Sequence, residues 1–175
     1  MTPDPFPTLP DSARLWLLAL DADPDPATRT RLAEGLAAIL GQWRHKGQAY
    51  LGDFALLEGR ILAVAEPSLA ANPSGCAIDG MLRKVTRLAG ELGLGLIDPA
   101  STILARVNGF LRAIGKPDLE AALENGTLDP GTPVLDLALY NLGDLRAGRL
   151  ESPLAATWIG RKFSLAAPGP PPRSR

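Results

Sequence analysis

The residues best suited to chemistry lie in one short stretch, residues 72–79, which read Asn-Pro-Ser-Gly-Cys-Ala-Ile-Asp. Cys76 is the only cysteine of the chain. At the start of a helix, free amides and the helix dipole favour a thiolate, which makes a cysteine more nucleophilic. The alternative is that Cys76 is a small buried hydrophobic residue, with Gly75 allowing close packing beside it. Most lone cysteines are inert, so the packing interpretation is favoured.

The polar residues around Cys76 could bind an anion. Free amides at a helix start bind phosphate or carboxylate groups, and Ser74 could add a hydroxyl. The simpler interpretation is that Ser74 caps its own helix and that Asp79 interacts with the dipole from the first turn. Capping is favoured because serine is a preferred residue at helix N-termini.

A second group of candidate residues lies at the end of the first predicted helix. His45 is the only histidine, which excludes a histidine-rich metal site, and we predict no metal. Together with Cys76 and Asp79 it could supply the base of a nucleophile, base and orienting group. A role as a helix C-terminal cap is simpler. Beside it, Lys46 offers a positive charge and Trp43 an aromatic surface, whose default role is core packing.

Two amphipathic helices are predicted to carry these residues. Asp25 and Pro26 are a typical N-cap and first helical residue, and the apolar spacing after them predicts a helix over 26–46, stopped by Gly47. The second helix has the most regular apolar spacing in the chain and is closed by Gly93. Its apolar residues are Ile78, Met81, Leu82, Val85, Leu88, Ala89 and Leu92.

Short apolar runs predict the strands of a sheet. They lie at residues 14–20, 50–57, 60–66, 94–97 and 102–107. The Glu58-Gly59 link predicts a hairpin between the second and third runs. The order strand, helix, strand, strand, helix, strand is that of a split βαβ, or ferredoxin-like, fold. The predicted fold class is therefore α+β, with a ferredoxin-like sheet and a C-terminal, mainly helical extension.

This order of elements makes a geometric prediction. The first helix ends, and the second begins, at the same edge of the sheet. Residues 43–46 should therefore lie near residues 74–76, with Lys46 facing the free amides. The first strand is apolar on both faces, so the open face of the sheet should be covered by the C-terminal third or by a second subunit.

The domain prediction follows from length and composition. Residues 1–12 hold four prolines and are predicted to be an extended lead-in, residues 13–165 a single α+β domain, and residues 166–175 a disordered tail. Within the C-terminal third, residues 116–125 are predicted to be helical. Residues 134–145 could be a helix, or a strand followed by a turn.

Composition excludes several classes of function. A net charge of −1 gives no electrostatic case for binding nucleic acid or an anionic membrane. A single cysteine cannot form an internal disulfide, which favours a reducing compartment. No apolar run reaches the roughly 18 residues of a membrane helix, and the N-terminus lacks a basic signal region. We therefore expect a cytoplasmic protein.

The chain resembles an uncharacterised bacterial family of Bacteroidetes type, sometimes labelled "ABC transporter ATPase". The family pattern runs Leu-Pro-Asp-x-Ala-Arg-x-Trp, Trp-x-x-His-Gly, Ser-Gly-Cys-Ser-Ile-Asp and Ser-Trp-His-x-Arg-Phe. The matching segments are residues 9–16, Trp43 with Gly47, residues 74–79 and residues 157–163.

Departures from the family pattern limit what the resemblance implies. The two family histidines align with Lys46 and Ile159, so a pair of histidine bases or ligands is not expected here. The chain also has no Gly-x-x-x-x-Gly-Lys-Ser/Thr stretch, which argues against the ATPase label. The resemblance therefore implies kinship without an established activity.

Two functions from different classes follow. The first is a non-enzymatic binding or interaction domain, with a small anionic ligand held by Ser74, Gly75, Cys76, Asp79, Lys46 and Trp43. The alternative is a thiol-dependent enzyme or redox sensor that uses Cys76. No cofactor is predicted. The partner is expected to be a small anion or a protein, and a second copy of the chain could form a homodimer.

Overall fold

The computed structural model describes residues 4–45, 47–67 and 74–165. The strands are β1 (Arg14–Ala19), β2 (Arg44–His45), β3 (Gln48–Ala49), β4 (Asp53–Leu57), β5 (Ile61–Glu66), β6 (Thr102–Val107), β7 (Phe110–Gly115), β8 (Pro133–Leu135) and β9 (Glu151–Pro153). The α-helices are α1 (Pro26–Gly41), α2 (Gly75–Glu91), α3 (Leu119–Glu124), α4 (Leu142–Arg146) and α5 (Trp158–Lys162). The fold class is α+β with antiparallel sheets. The predicted disordered tail, residues 166–175, lies outside the described residues.

The chain divides into two compact units. Unit 1 comprises Met1–Ile97 and Leu137–Gly148, and unit 2 comprises Asp98–Asp136 and Arg149–Arg175. The single domain over residues 13–165 stays a prediction, because two compact units can still unfold as one cooperative domain.

Unit 1 is built on a three-stranded antiparallel sheet in the order β1-β5-β4. Residues 94–97, predicted to be a strand, run beside the free edge of β1 and form a single antiparallel bridge there, between Leu20 and Leu96. The backbone N–H of Ile97 also donates to the carbonyl of Ala19 at 2.8 Å. The central strand β5 is buried along its whole length.

The predicted hairpin between the second and third apolar runs is confirmed. Glu58 and Gly59 have φ angles of 52° and 78°, the left-handed pair that a two-residue type I′ turn requires. Strand β4 begins at Asp53 and not at residue 50. The reason is that the N–H of Tyr50 donates to the carbonyl of Trp43 at 3.0 Å, which extends the β2–β3 hairpin.

Helix α1 starts where the sequence predicts and ends earlier. The side chain of Asp25 accepts hydrogen bonds from the first-turn amides, and Pro26 is the first helical residue. The predicted end at residue 46 is wrong, because the helix stops at Gly41. The chain then folds back on itself in a short hairpin that pairs His45 with Gln48. The backbone of His45 therefore belongs to strand β2 and not to the end of a helix.

The Asp25 cap makes stability depend on pH. Hydrogen bonds from the Thr28 hydroxyl and backbone N–H lower the pKa of Asp25 in the folded protein. Because the folded pKa is depressed, this stabilisation is complete above the unfolded pKa of about 3.9 and is lost as pH falls through the folded pKa. Asp25→Asn keeps a capping oxygen without the charge. We expect its melting temperature to fall less than that of wild type when the pH is lowered from neutral to acid. Thermal unfolding of both proteins across pH tests this, and equal losses would contradict it.

The core of unit 1 lies between the sheet and the two long helices. The apolar face predicted for α2 is confirmed, with Met81, Val85 and Ala89 fully buried. On the opposite face of the sheet, Leu15 and Ala63 are also buried. That face is therefore covered within this single chain, and a second subunit is not needed to bury it.

The N-terminal segment is not an extended lead-in. Residues 4–12 form turns, including a hydrogen bond from the N–H of Leu9 to the carbonyl of Phe6 at 3.1 Å. Phe6 is completely buried. The proline content predicted an extended segment, and it did not indicate that the aromatic residue Phe6 is buried.

Unit 2 corrects the prediction of a mainly helical extension. It contains a four-stranded antiparallel sheet in the order β7-β6-β8-β9, and its helices within the described ranges are the short α3 and α5. Asn108 and Gly109, with φ angles of 52° and 82°, form the type I′ turn that joins β6 to β7. The predicted helix at residues 116–125 is present as a 3-10 turn followed by α3. Residues 134–145 contain part of β8 and most of α4. Of the two predicted alternatives, the one that begins with a strand agrees better with this structure.

Candidate functional site

The start of α2 is a capped helix end. The Oγ of Ser74 accepts a hydrogen bond from the N–H of Ala77 at 3.2 Å, which confirms the capping interpretation. Because α2 begins at Gly75, Asp79 lies beyond the first turn, and its predicted interaction there is wrong. Its carbonyl accepts a hydrogen bond from Nε of Arg83.

Cys76 does not pack in the interior. The residue is exposed, so the favoured interpretation of a buried hydrophobic cysteine is wrong. Gly75 does not provide a close approach either, since a Cβ added there would meet no atom within 4 Å. The thiol of Cys76 is therefore open to solvent on the second residue of α2.

Trp43 links the end of α1 to the start of α2. Its Nε1 donates a hydrogen bond to the carbonyl oxygen of Ala77 at 3.0 Å, and the residue is 5% exposed. Its ring makes an edge contact with Trp16, at 5.7 Å between centroids, and a tilted contact with Tyr50 at 4.8 Å. The predicted role in core packing holds for Trp43. Trp158 belongs to unit 2, where the Nζ of Lys116 lies 5.1 Å from its ring centroid.

A pocket of about 180 Å³ lies beside this contact. We call it the α2 pocket, and its lining residues are Ile39, Gln42, Trp43, Arg44, Cys76, Ala77, Gly80, Met81 and Lys84. The structure thus brings together Trp43 and Cys76 from the predicted site. Ser74, Gly75 and Asp79 do not line the pocket, and Lys46 lies outside the described residues.

The α2 pocket has a positive lining. Arg44 and Lys84 are both exposed, and neither forms an ion pair with any residue within 4–45, 47–67 and 74–165. None of the lining residues in the described part of the chain is acidic. An anion in the pocket would therefore meet two cationic side chains and no carboxylate.

Sequence reasoning missed both cations, for different reasons. Lys84 follows Cys76 by eight residues and Gly80 by four, a spacing that places all three on one side of α2. That signal was present and could have been used. Arg44 was assigned to the helix α1, whereas it lies in strand β2.

Asp79, the predicted orienting residue, does not line the α2 pocket with Cys76, and the backbone of His45, the predicted base, lies in β2. Among the residues described, no cluster of three or more His, Cys, Asp or Glu side chains could hold a metal ion.

Comparison of the chain with protein-family models, curated proteins and solved structures gives no match. Within the described ranges, no helix combines the length and the apolar character needed to cross a membrane.

Proposed function

We propose that the protein is a non-enzymatic binding domain whose α2 pocket holds a small anionic ligand. The observation that carries the proposal is the pair Arg44 and Lys84, two cations without a carboxylate partner in the described chain, on a pocket with no acidic lining residue. Guanidinium and ammonium groups form charge-assisted hydrogen bonds with phosphate and carboxylate oxygens. Two such groups, one from β2 and one from α2, line the same pocket.

The size of the pocket limits the ligand. Typical small-molecule pockets enclose roughly 300–1,000 Å³. At about 180 Å³, the α2 pocket fits a single anionic group better than a nucleotide or another large cofactor. Binding is expected to be weak, since the best small ligands gain at most about 1.5 kcal/mol per non-hydrogen atom.

The ferredoxin-like arrangement is part of the same proposal. Its support is the antiparallel order of residues 94–97, β1, β5 and β4. Residues 94–97 take the place of the fourth strand, although they form a single bridge with β1. In this topology, the end of α1 and the start of α2 share one edge, and the bond from Trp43 to Ala77 is consistent with that.

We also propose that the resemblance to the Bacteroidetes-type family reflects kinship. Its support is that motif residues distant in sequence meet in unit 1. Trp16 from the first motif contacts Trp43 from the second, and Trp43 donates to Ala77 in the third. A cytoplasmic location, with no nucleic acid or membrane as partner, completes the proposal and is supported by the near-zero net charge and the single cysteine.

The binding proposal is tested by calorimetric titration with inorganic phosphate and, in a second series, acetate. We expect wild type to bind at least one of them. Arg44→Gln and Lys84→Gln should each weaken binding about tenfold or more, because a hydrogen bond to a charged group contributes about 1.5–3 kcal/mol. Arg87→Gln is the matched control, since Arg87 is exposed on the same helix and does not line the pocket. Binding that is absent in wild type, or unchanged in Lys84→Gln, would overturn the assignment.

Thiol chemistry at Cys76 is the second candidate function, because the side chain is exposed and lines the same pocket. Two measurements separate the candidates. If the protein is a binding domain, Cys76→Ser keeps its affinity for the anion. The wild-type thiol then reacts with iodoacetamide no faster than a small-molecule thiol at the same pH. Markedly faster alkylation would favour the thiol-dependent enzyme or redox sensor.

A further inference from the structure

One arginine contacts the segment 4–12 of unit 1 at four places. The guanidinium of Arg146, at the end of α4, forms an ion pair with Asp4 at 2.9 Å and a second with Asp11. The same group donates to the carbonyl oxygens of Phe6 at 2.8 Å and of Leu9 at 2.9 Å. Four groups spread over residues 4–12 thus converge on a single side chain.

Little else attaches this segment. Phe6 is the only buried residue in residues 4–12. At the far end, the N–H of Gly143 donates to the carbonyl of Asp11 at 2.9 Å. Ordering a chain segment costs backbone entropy at every residue, and one buried ring offsets only part of that cost. The contacts to Arg146 therefore decide whether the segment stays docked.

We propose that residues 4–12 form a strap and that Arg146 is its latch, so that losing the latch frees the strap while the sheet of unit 1 stays folded. The strap ends just before Ala13, which is fully buried and begins the sheet region. Release uncovers the apolar site of Phe6 beside a guanidinium that has lost its carboxylates. The side chain of Arg146 thus controls whether the strap is docked or released.

At the latch, one guanidinium faces two carboxylates. The pKa of Asp4 is lowered, first by the hydrogen bond from the Phe6 N–H and then by Arg146, and the pKa of Arg146 is raised, chiefly by its hydrogen bond with Asp11. Asp11 is largely exposed, with a side chain 75% accessible to solvent. Contacts of this kind weaken with salt. Ionic strength should therefore loosen the strap as well.

Amide hydrogen exchange on the full chain tests the latch, comparing Arg146→Met with Arg31→Met, an exposed arginine on α1. In Arg146→Met we expect the amides of Phe6 and Leu9 to exchange about tenfold faster or more, the factor that corresponds to losing one charge-assisted hydrogen bond. Amides of β5 should be unchanged in both variants. Wild type in high salt should show part of the same acceleration.

Two outcomes overturn the proposal. Unchanged exchange at Phe6 and Leu9 would mean that Arg146 does not hold the segment. Equal acceleration in β5 would mean that the segment separates only when unit 1 unfolds. If Arg146→Met does not fold, the double variant Asp4→Asn with Asp11→Asn replaces it, because it removes both ion pairs and leaves the arginine in place. For the double variant too, unchanged exchange at Phe6 and Leu9, or equal acceleration in β5, would overturn the proposal.

Discussion

Replacing Gly160 by alanine should destabilise unit 2 by at least about 3 kcal/mol, the upper end of what overpacking costs. Gly160 is buried in α5, and a Cβ added there would lie 2.5 Å from the carbonyl carbon of Ala155 and 2.6 Å from its Cα. These are backbone atoms of the 3-10 turn Leu154–Ala156 that precedes α5, so no side-chain rotation can relieve the clash. Helix α5 must move, and with it Ile159, which is completely buried.

The matched control is Gly90→Ala in α2, where an added Cβ meets no atom within 4 Å. Alanine is a better helix former than glycine, so this variant should gain up to about 1 kcal/mol. The same chemical change is thus expected to have opposite signs at the two sites. Urea unfolding measures both. A Gly160→Ala protein as stable as wild type would show that α5 can pack in another position.

Truncating Leu62 to alanine should cost about 2–5 kcal/mol, the range for buried leucines. Leu62 lies in the central strand β5, is fully buried, and stands opposite Leu18 on one side and Leu56 on the other. Removing its side chain leaves a cavity in the middle of a row of leucines that packs against both long helices.

Two comparisons make the Leu62 result specific. Leu82→Ala on α2 should cost less, because Leu82 is only partly buried at the edge of the same core. Leu51→Ala should change stability by no more than about 0.5 kcal/mol, since Leu51 is 71% exposed. Denaturant midpoints at unchanged m-values give all three numbers. A loss at Leu62 no larger than that at Leu51 would contradict the position of the core.

The elements that could be predicted from the sequence are those specified by local signals. Three such signals each specify a local structure within a few residues. They are Asp25 before Pro26, the Glu58-Gly59 turn, and Ser74 before the periodic residues of α2. Asn108-Gly109 is an equally strong local signal and was overlooked, which is why the sheet of unit 2 was missed. Strands β8 and β9, by contrast, are three residues each and pair across the chain, so no local pattern marks them.

The end of α1 shows why periodicity alone was insufficient. Trp43 continues the apolar spacing of the helix, so the pattern could not indicate that the helix had already ended at Gly41. What holds Trp43 is a hydrogen bond to Ala77, thirty-four residues away, and such a contact has no signature in the nearby sequence. The proximity of Trp43 and Cys76 was still predicted, because it follows from the order of elements and not from the exact helix end.

The bond from Trp43 to Ala77 also gives the α2 pocket a spectroscopic signal. The indole N–H is engaged with the first turn of α2, while the ring is buried against Trp16 and Tyr50. Indole emission responds to hydrogen bonding and to the polarity around the ring, and Trp43 itself lines the pocket. The protein therefore carries an intrinsic fluorophore in the wall where the proposed anion would sit. Trp16, which contacts Trp43, and Trp158 in unit 2 also emit, and Trp158→Phe would remove the contribution from unit 2.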